Sequence, residues 1–293
     1  MSVLLDRTNR VLVQGITGQM ARFSVADMRA YGTTVVAGVV PGRHGDSDGI
    51  SIFPDVATAC RETGADTSIA YIPGLVARSG ILEAIEAGCR LVVYPGDQIP
   101  IQDAMEMRAA AHSHRCTLIG PNTAGLISPG KAKLGFMPSF CYAPGSLGVI
   151  SKSGSLSYEV CERLTLAGLG QTTVLGIGGD PIKGLSTIEA IGLLHADADT
   201  RAILVLGEIG GSDEYAAAEY AARADAKPVA ALIVGRTAPR GKRMGHAGAL
   251  IGNRIETYDA KVQALADAGI TIAGTLSDVV QAVTAAMDRA GRQ

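Results

Sequence analysis

Two successive series of short β-prone runs, separated by segments with helical spacing, constrain this chain more than any other feature. Val11-Leu12-Val13-Gln14 opens the first series, and further strands are expected at 34–39, 68–72, 91–94 and 117–119. Between them, segments around 21–31, 55–63, 77–88 and 102–112 carry apolar residues at helical spacing. Such a strand–helix rhythm closes through right-handed crossovers onto a mostly parallel sheet. The second series predicts strands at 147–150, 172–175, 202–206, 229–234 and 270–273. Its helices are expected at about 154–167, 186–195, 212–225, 257–268 and 276–289.

Residues 120–146 interrupt the rhythm with four prolines. The expected organisation is α/β throughout: a Rossmann-like domain over 1–122, an interdomain connection over 123–146, and a flavodoxin-like doubly wound domain over 147–293. In such sheets ligands sit beyond the C-terminal ends of the strands.

Composition narrows the function. Twenty-six basic residues against 28 acidic ones give a net charge of −2, which offers no general attraction for nucleic acid or an anionic membrane. Aromatic residues make up 4% with no tryptophan, so stacking platforms for single strands are scarce. No stretch has transmembrane length and the N-terminus lacks a signal peptide's apolar core, so a cytoplasmic chain is expected. The five cysteines are dispersed, without a Cys-x-x-Cys pair, as befits reduced thiols and no metal site. His112 and His114 fall near an expected helix end.

Three loops carry candidate chemistry. Gly15-Ile16-Thr17-Gly18-Gln19-Met20-Ala21 follows the first strand and opens a helix, the setting of a dinucleotide fingerprint whose third glycine is Ala21 here. No acidic ribose partner follows the second strand. Arg43 stands there instead, which favours a phosphate: NADP and coenzyme A both fit, as does a purely structural turn. Ser151-Lys152-Ser153-Gly154-Ser155 joins a strand to a helix and either binds phosphate at the helix start or simply caps it. Gly207-Glu208-Ile209-Gly210-Gly211 places a carboxylate at a strand end, where it orients an imidazole or caps a helix from solvent. Gly176-Ile177-Gly178-Gly179-Asp180-Pro181 is a further strand-end turn expected to shape the same crevice.

The most distinctive segment runs from Gly235 to Gly248 and sets His246 among glycines and the basic Arg240, Lys242 and Arg243, just before an expected helix. An imidazole in positive potential at a helix start is suited to take and pass on a phosphoryl group. A surface loop in which His246 only fills space is the alternative.

Together these elements resemble the alpha subunits of succinyl-CoA synthetase and the wider ADP-forming acyl-CoA ligases. The matches are Gln14-Gly15-Ile16-Thr17-Gly18, Gly120-Pro121-Asn122, Ser151-Lys152-Ser153-Gly154, the turns at 176–181 and 207–211, and Thr237 through Gly248, in the family's order. The resemblance implies coenzyme A binding in the N-terminal domain through Gly15, Thr17, Gly18, Gln19 and Met20, with Arg43, Pro95, Gly96 and Asp97 nearby. It implies that His246 is phosphorylated and that Glu208 positions it. Asn122, Thr123, Ser153, Gly154, Ser155, Tyr158 and Gly245 then fall on the phosphate or organic-acid side, with phosphate held at the helix starts after Ser153 and His246.

The same resemblance implies a separate ATP-grasp beta subunit that holds ATP or GTP with Mg2+ in an αβ or α2β2 assembly. The substrate is a short anionic acid: succinate, or a relative such as malate, itaconate or sulfoacetate. A non-catalytic CoA-responsive subunit and an NADP-dependent oxidoreductase are the alternatives. Departures from the family pattern lie at Ala21 and Ser24, at Pro95-Gly96-Asp97-Gln98, at Thr123-Ala124, and over 251–257.

Overall fold

The computed structural model describes residues 3–291, and its chain divides into two compact units. One comprises Leu4–Met137 together with Ile182–Leu185. The other comprises Val3, Pro138–Pro181 and residues 186–291.

The first unit is built from β1 (Arg10–Gln14), α1 (Gln19–Tyr31), β2 (Thr34–Val39), β3 (Gly45–Ser47), β4 (Ile50–Phe53), α2 (Val56–Thr63), β5 (Thr67–Ala70), α3 (Gly74–Glu86), β6 (Leu91–Val93), α4 (Ile101–Ser113), β7 (Thr117–Ile119), β8 (Gly125–Ser128) and β9 (Ala132–Gly135). Its sheet runs β3-β4-β2-β1-β5-β6-β7 and is parallel except for the β3–β4 hairpin. Apolar spacing explains the helices. Helix α1 buries Ala21, Ser24, Val25 and Met28, one stripe at i, i+3, i+4 and i+7, and ends where Gly32 takes φ 113°. Leu12, Ala37, Ile81, Val92 and Met107 meet in one core between sheet and helices.

The segment read from sequence as a connection contains the antiparallel pair β8–β9. Its anchor is Lys133, wholly buried, whose ammonium reaches Asp27 of α1 at 2.5 Å and the Met137 carbonyl at 2.8 Å. A lysine there carries no apolar signature, so pattern reading passes over the strand.

The second unit contains β10 (Pro144–Ser151), α5 (Gly154–Leu166), β11 (Gln171–Gly176), α6 (Thr187–Ala196), β12 (Ala202–Glu208), α7 (Tyr215–Ala221), β13 (Val229–Val234), α8 (Tyr258–Asp267), β14 (Thr271–Ala273) and α9 (Val279–Ala290). These strands lie in the order β14-β13-β12-β10-β11, all parallel. Numbered within the unit that order is the flavodoxin-like 2-1-3-4-5, whose crevice opens where β10 and β12 lie side by side. All seven residues of β12 are buried, as expected of a central strand covered on both faces.

Two local expectations change. Helix α7 is shorter than the 212–225 predicted, because Asp213 and Glu214 are held in the turn before it. The helix expected immediately after His246 is absent: the chain turns there, and α8 starts only at Tyr258. Ala249 and Ile251, two apart, are the residues drawn inside, a spacing that no helix face provides. The Gly248 N–H meanwhile bonds the Gly179 carbonyl at 3.1 Å, tying this turn to the loop after β11.

Candidate active site

Strand ends gather the chemistry in each unit. In the first, β1 delivers Gly15, Ile16, Thr17 and Gly18 to the start of α1, between neighbours β2 and β5. Gly15 has φ 72° and a Cβ there would lie 2.4 Å from the Tyr71 carbonyl oxygen, so glycine is required twice over. Gly18 is the N-cap of α1 without a side-chain cap, which leaves the first-turn amides of Gln19 and Met20 open to an anion. Thr17 is half-buried, and Gln19 and Met20 are exposed. Arg43 is exposed in the turn after β2, its N–H on the Val40 carbonyl at 3.0 Å.

Pro95 and Gly96 follow β6, half-buried, with Asp97 exposed beside them. The Gly96 carbonyl accepts the Asn122 N–H at 2.7 Å, tying the post-β6 and post-β7 loops together. Thr123 is buried and its hydroxyl accepts the Gly125 N–H at 2.9 Å, so it is engaged in shaping the turn. The altered Ser24 is structural too: it bonds the Tyr71 hydroxyl at 2.5 Å and the Gly135 carbonyl at 3.2 Å.

In the second unit the crevice between β10 and β12 holds His246. Its Nδ1 stands 2.7 Å from a carboxylate oxygen of Glu208, the last residue of β12. A carboxylate only accepts, so Nδ1 carries the proton, and in the neutral ring Nε2 keeps its lone pair. The hydrogen bond donated to Glu208 raises the imidazole's pKa, burial opposes it, and the Glu208 and Asp180 charges add to the rise while Lys152 lowers it.

The floor under the ring is Gly179, where a Cβ would lie 2.5 Å from the imidazole Cγ. The loop is tied down on a second side by the Gly210 N–H, which reaches the Glu256 carbonyl at 2.9 Å. Gly245, next to the histidine, is exposed.

Ser153 caps α5, accepting the Leu156 N–H at 3.3 Å, so its hydroxyl serves the helix while the amides of Gly154 and Ser155 remain at the open end. Tyr158, half-buried on that helix, has its phenol pushed up to about 12 by burial. Asn122 and Thr123 belong to the first unit, whereas Ser153, Gly154, Ser155, Tyr158 and Gly245 share the second with His246 and Glu208.

Sequence reasoning missed the charges behind the site. Lys152, Glu214 and Lys261 are all buried, with both lysines paired to Glu214, and neither Glu214 nor Lys261 has a local pattern that announces burial. The Gly-Gly-Asp turn was the available signal for Gly179. A cavity of about 800 Å3 lies between the base of the His246 loop and α8, lined in part by Arg236, Arg240 and Arg254, and His246 does not line it. Asn253 and Glu256 form a capping box around Arg254–Glu256, so the altered segment at 251–257 builds its own turn. Among the described residues no group of three or more His, Cys, Asp or Glu side chains is arranged to hold a metal ion.

Residues 6–94 match the CoA binding domain family, and residues 150–271 match the CoA-ligase family. The chain is 48% identical, over 96% of its length and 97% of the relative's, to subunit alpha 1 of an ADP-forming succinate–CoA ligase from Archaeoglobus fulgidus. This chain belongs to the succinate–CoA ligase alpha-subunit family. Further members of that family, from Aquifex aeolicus and Staphylococcus aureus, are 45% and 41% identical over 92% and 99% of the chain and span 89% and 97% of the relatives.

Among solved structures, an ATP citrate lyase from Methanothrix soehngenii in complex with citrate and coenzyme A superposes with a TM-score of 0.90 at 24% identity, over 98% of this chain. This family member spans only 51% of that lyase chain. A dinucleotide-forming acetyl-coenzyme A synthetase from Ca. Korarchaeum cryptofilum gives 0.73 at 18% identity, over 93% of this chain and 59% of its own. Both likenesses establish the shared fold. The first unit carries the family's CoA-binding domain and the second its ligase domain.

Proposed function

We propose that this chain is the alpha subunit of an acid–CoA ligase that joins coenzyme A to a short anionic carboxylic acid through a phosphohistidine. The observation that carries the reading is the His246–Glu208 pair at the crevice of the second sheet, with Nδ1 engaged at 2.7 Å and Nε2 left with its lone pair. Nε2 attacks the terminal phosphorus of a nucleoside triphosphate, forming an N–P bond as the bridging P–O bond to the diphosphate breaks. Glu208 stabilises the positive ring that results.

A substrate carboxylate oxygen then attacks the same phosphorus, regenerating the imidazole and producing an acyl phosphate. The thiolate of coenzyme A adds to the acyl carbon, and inorganic phosphate leaves. Splitting the condensation this way gives each step a good leaving group. The open amides at Gly154 and Ser155 face an anion favourably at the start of α5. Those of Gln19 and Met20, with Arg43, suit the phosphates of coenzyme A.

The nucleotide and its Mg2+ are assigned to an ATP-grasp beta partner in an αβ or α2β2 complex, where the ion would neutralise developing charge. Relatives 41–48% identical are ADP-forming succinate–CoA ligases, which makes succinate the first acid to test, followed by malate, itaconate and sulfoacetate. The deciding experiment mixes the chain with its beta partner and Mg-ATP and locates phosphate by peptide mass spectrometry. Phosphate on His246 that is discharged by coenzyme A plus one of these acids is the expected result. A folded, nucleotide-binding complex that never phosphorylates His246 overturns the mechanism and favours a CoA-responsive regulatory subunit.

A further inference from the structure

The His246–Glu208 contact depends on where β12 ends, and that end is gripped by a buried charge cluster. The Glu208 N–H donates to Glu214 Oε1 at 3.2 Å, and the Glu208 carbonyl accepts from Lys261 Nζ at 2.8 Å. Lys261 spends its other two N–H groups on the Gly210 carbonyl at 2.6 Å and Glu214 Oε2 at 2.5 Å. Glu214 also takes Lys152 Nζ at 2.7 Å, and Asp213 stands 3.5 Å from the same ammonium. Four separate stretches therefore meet here: the β10–α5 turn, the end of β12, the start of α7 and the body of α8.

Glu214 and Lys261 are each 1% exposed. Stability alone explains such a cluster poorly, because buried ion groups are commonly replaceable by apolar residues at little or no loss. Its geometry explains it better, since both flanking peptide groups of one residue are fixed, and that residue holds the histidine.

We propose that Glu214, clamped between Lys152 and Lys261, is a positioning residue for phosphoryl transfer: it fixes the main chain of Glu208 so that the carboxylate keeps His246 Nδ1 engaged and Nε2 free to react. The inference rests on the phosphohistidine reading above for its chemistry. Lys152 links the two halves electrically, because it pairs with Glu214 and also acts on both Glu208 and His246. The charged groups facing His246 are Glu208, Asp180 and Lys152, and those facing Glu214 are Lys152 and Lys261.

The test uses the full chain with 15N-labelled imidazole, comparing Glu214→Gln and Lys152→Gln with the unaltered protein by NMR. The unaltered His246 should show the Nδ1–H tautomer. Glu214→Gln should mix the tautomers and lower the imidazole's titration midpoint, because a loosened Glu208 holds the proton less well. Lys152→Gln, which frees one side of Glu214, should mix the tautomers as well. In the complex with the beta partner and Mg-ATP, Glu214→Gln should slow His246 phosphorylation about 10- to 100-fold with the nucleotide KM unchanged, the scale of a small misplacement of reacting groups.

A merely structural cluster would lower the melting temperature and leave tautomer and midpoint alone, which overturns the proposal. If Glu214→Gln does not fold, Lys152→Gln at the rim of the cluster decides, and an unmixed Nδ1–H tautomer there overturns it. The NMR readout needs no partner. An unaltered complex that fails to phosphorylate therefore counts against the ligase reading, while the tautomer still judges the clamp.

Discussion

At the residue scale, one hydrogen bond organises the site, and its charge gives it a pH signature. The Glu208 hydrogen bond raises the folded-state pKa of His246 above its ordinary value, against a smaller opposing effect of burial. A raised pKa means that the folded state binds the proton more tightly than the unfolded chain does. The pair's contribution to stability is therefore complete below the ordinary imidazole value and fades as pH rises through the folded value. Comparing the unaltered protein with His246→Gln, the difference in melting temperature should be largest near pH ~5 and shrink towards pH ~8. A difference that grows over that range would refute the pairing.

Gly179 gives a steric counterpart. Because its Cβ would lie 2.5 Å from the ring, Gly179→Ala should push the imidazole off Glu208. His246 phosphorylation should then fall by about 10- to 100-fold while the melting temperature moves little, measured by phosphopeptide yield and calorimetry.

At the scale of elements, the proposed binding falls on helix starts and strand ends, and capping can be separated from ligand contact. Ser153 caps α5, so Ser153→Ala should cost about 1 kcal/mol of stability by urea titration. Ser153→Asp keeps a good cap but brings negative charge to an anion site, so it should retain stability and lose phosphorylation. Equal loss in both variants would mean that the cap alone matters there. In the first unit, Gly15→Ala meets the Tyr71 carbonyl at 2.4 Å in a left-handed backbone. It should destabilise the unit by about 1–3 kcal/mol and weaken coenzyme A binding in calorimetric titration.

Elements were the most legible level of the sequence. The alternation of apolar strands and helical stripes placed β1, β2, β5, β6, β7 and β10 through β14 but not the β3–β4 hairpin, because a parallel sheet covered on both faces needs continuous apolar runs. The hairpin β8–β9 escaped notice because it is short and buries a lysine, and the turn after His246 was misread because its glycines and basic residues resemble a helix entry.

At the scale of the whole molecule, the chain carries a CoA-binding domain and a ligase domain, and the proposed function assigns the nucleotide to a partner. Coenzyme A should thus bind the chain alone, whereas Mg-ATP without the beta subunit should leave His246 unphosphorylated. Phosphorylation of the isolated, purified chain would place the nucleotide site here and remove the partner from the mechanism.

The sequence by itself determined the fold class, the order of most strands in the chain, the glycine loops and His246 and Glu208 as candidates, because local spacing and turn chemistry are written in neighbouring residues. Only the tertiary structure decided that Nδ1 is the engaged nitrogen, that Gly179 is the floor of the ring, and that Lys152, Glu214 and Lys261 are buried behind Glu208. Those residues are far apart in the chain. A charged side chain on a helix reads as solvent-facing until the crossovers of a doubly wound sheet bring its counterions to it.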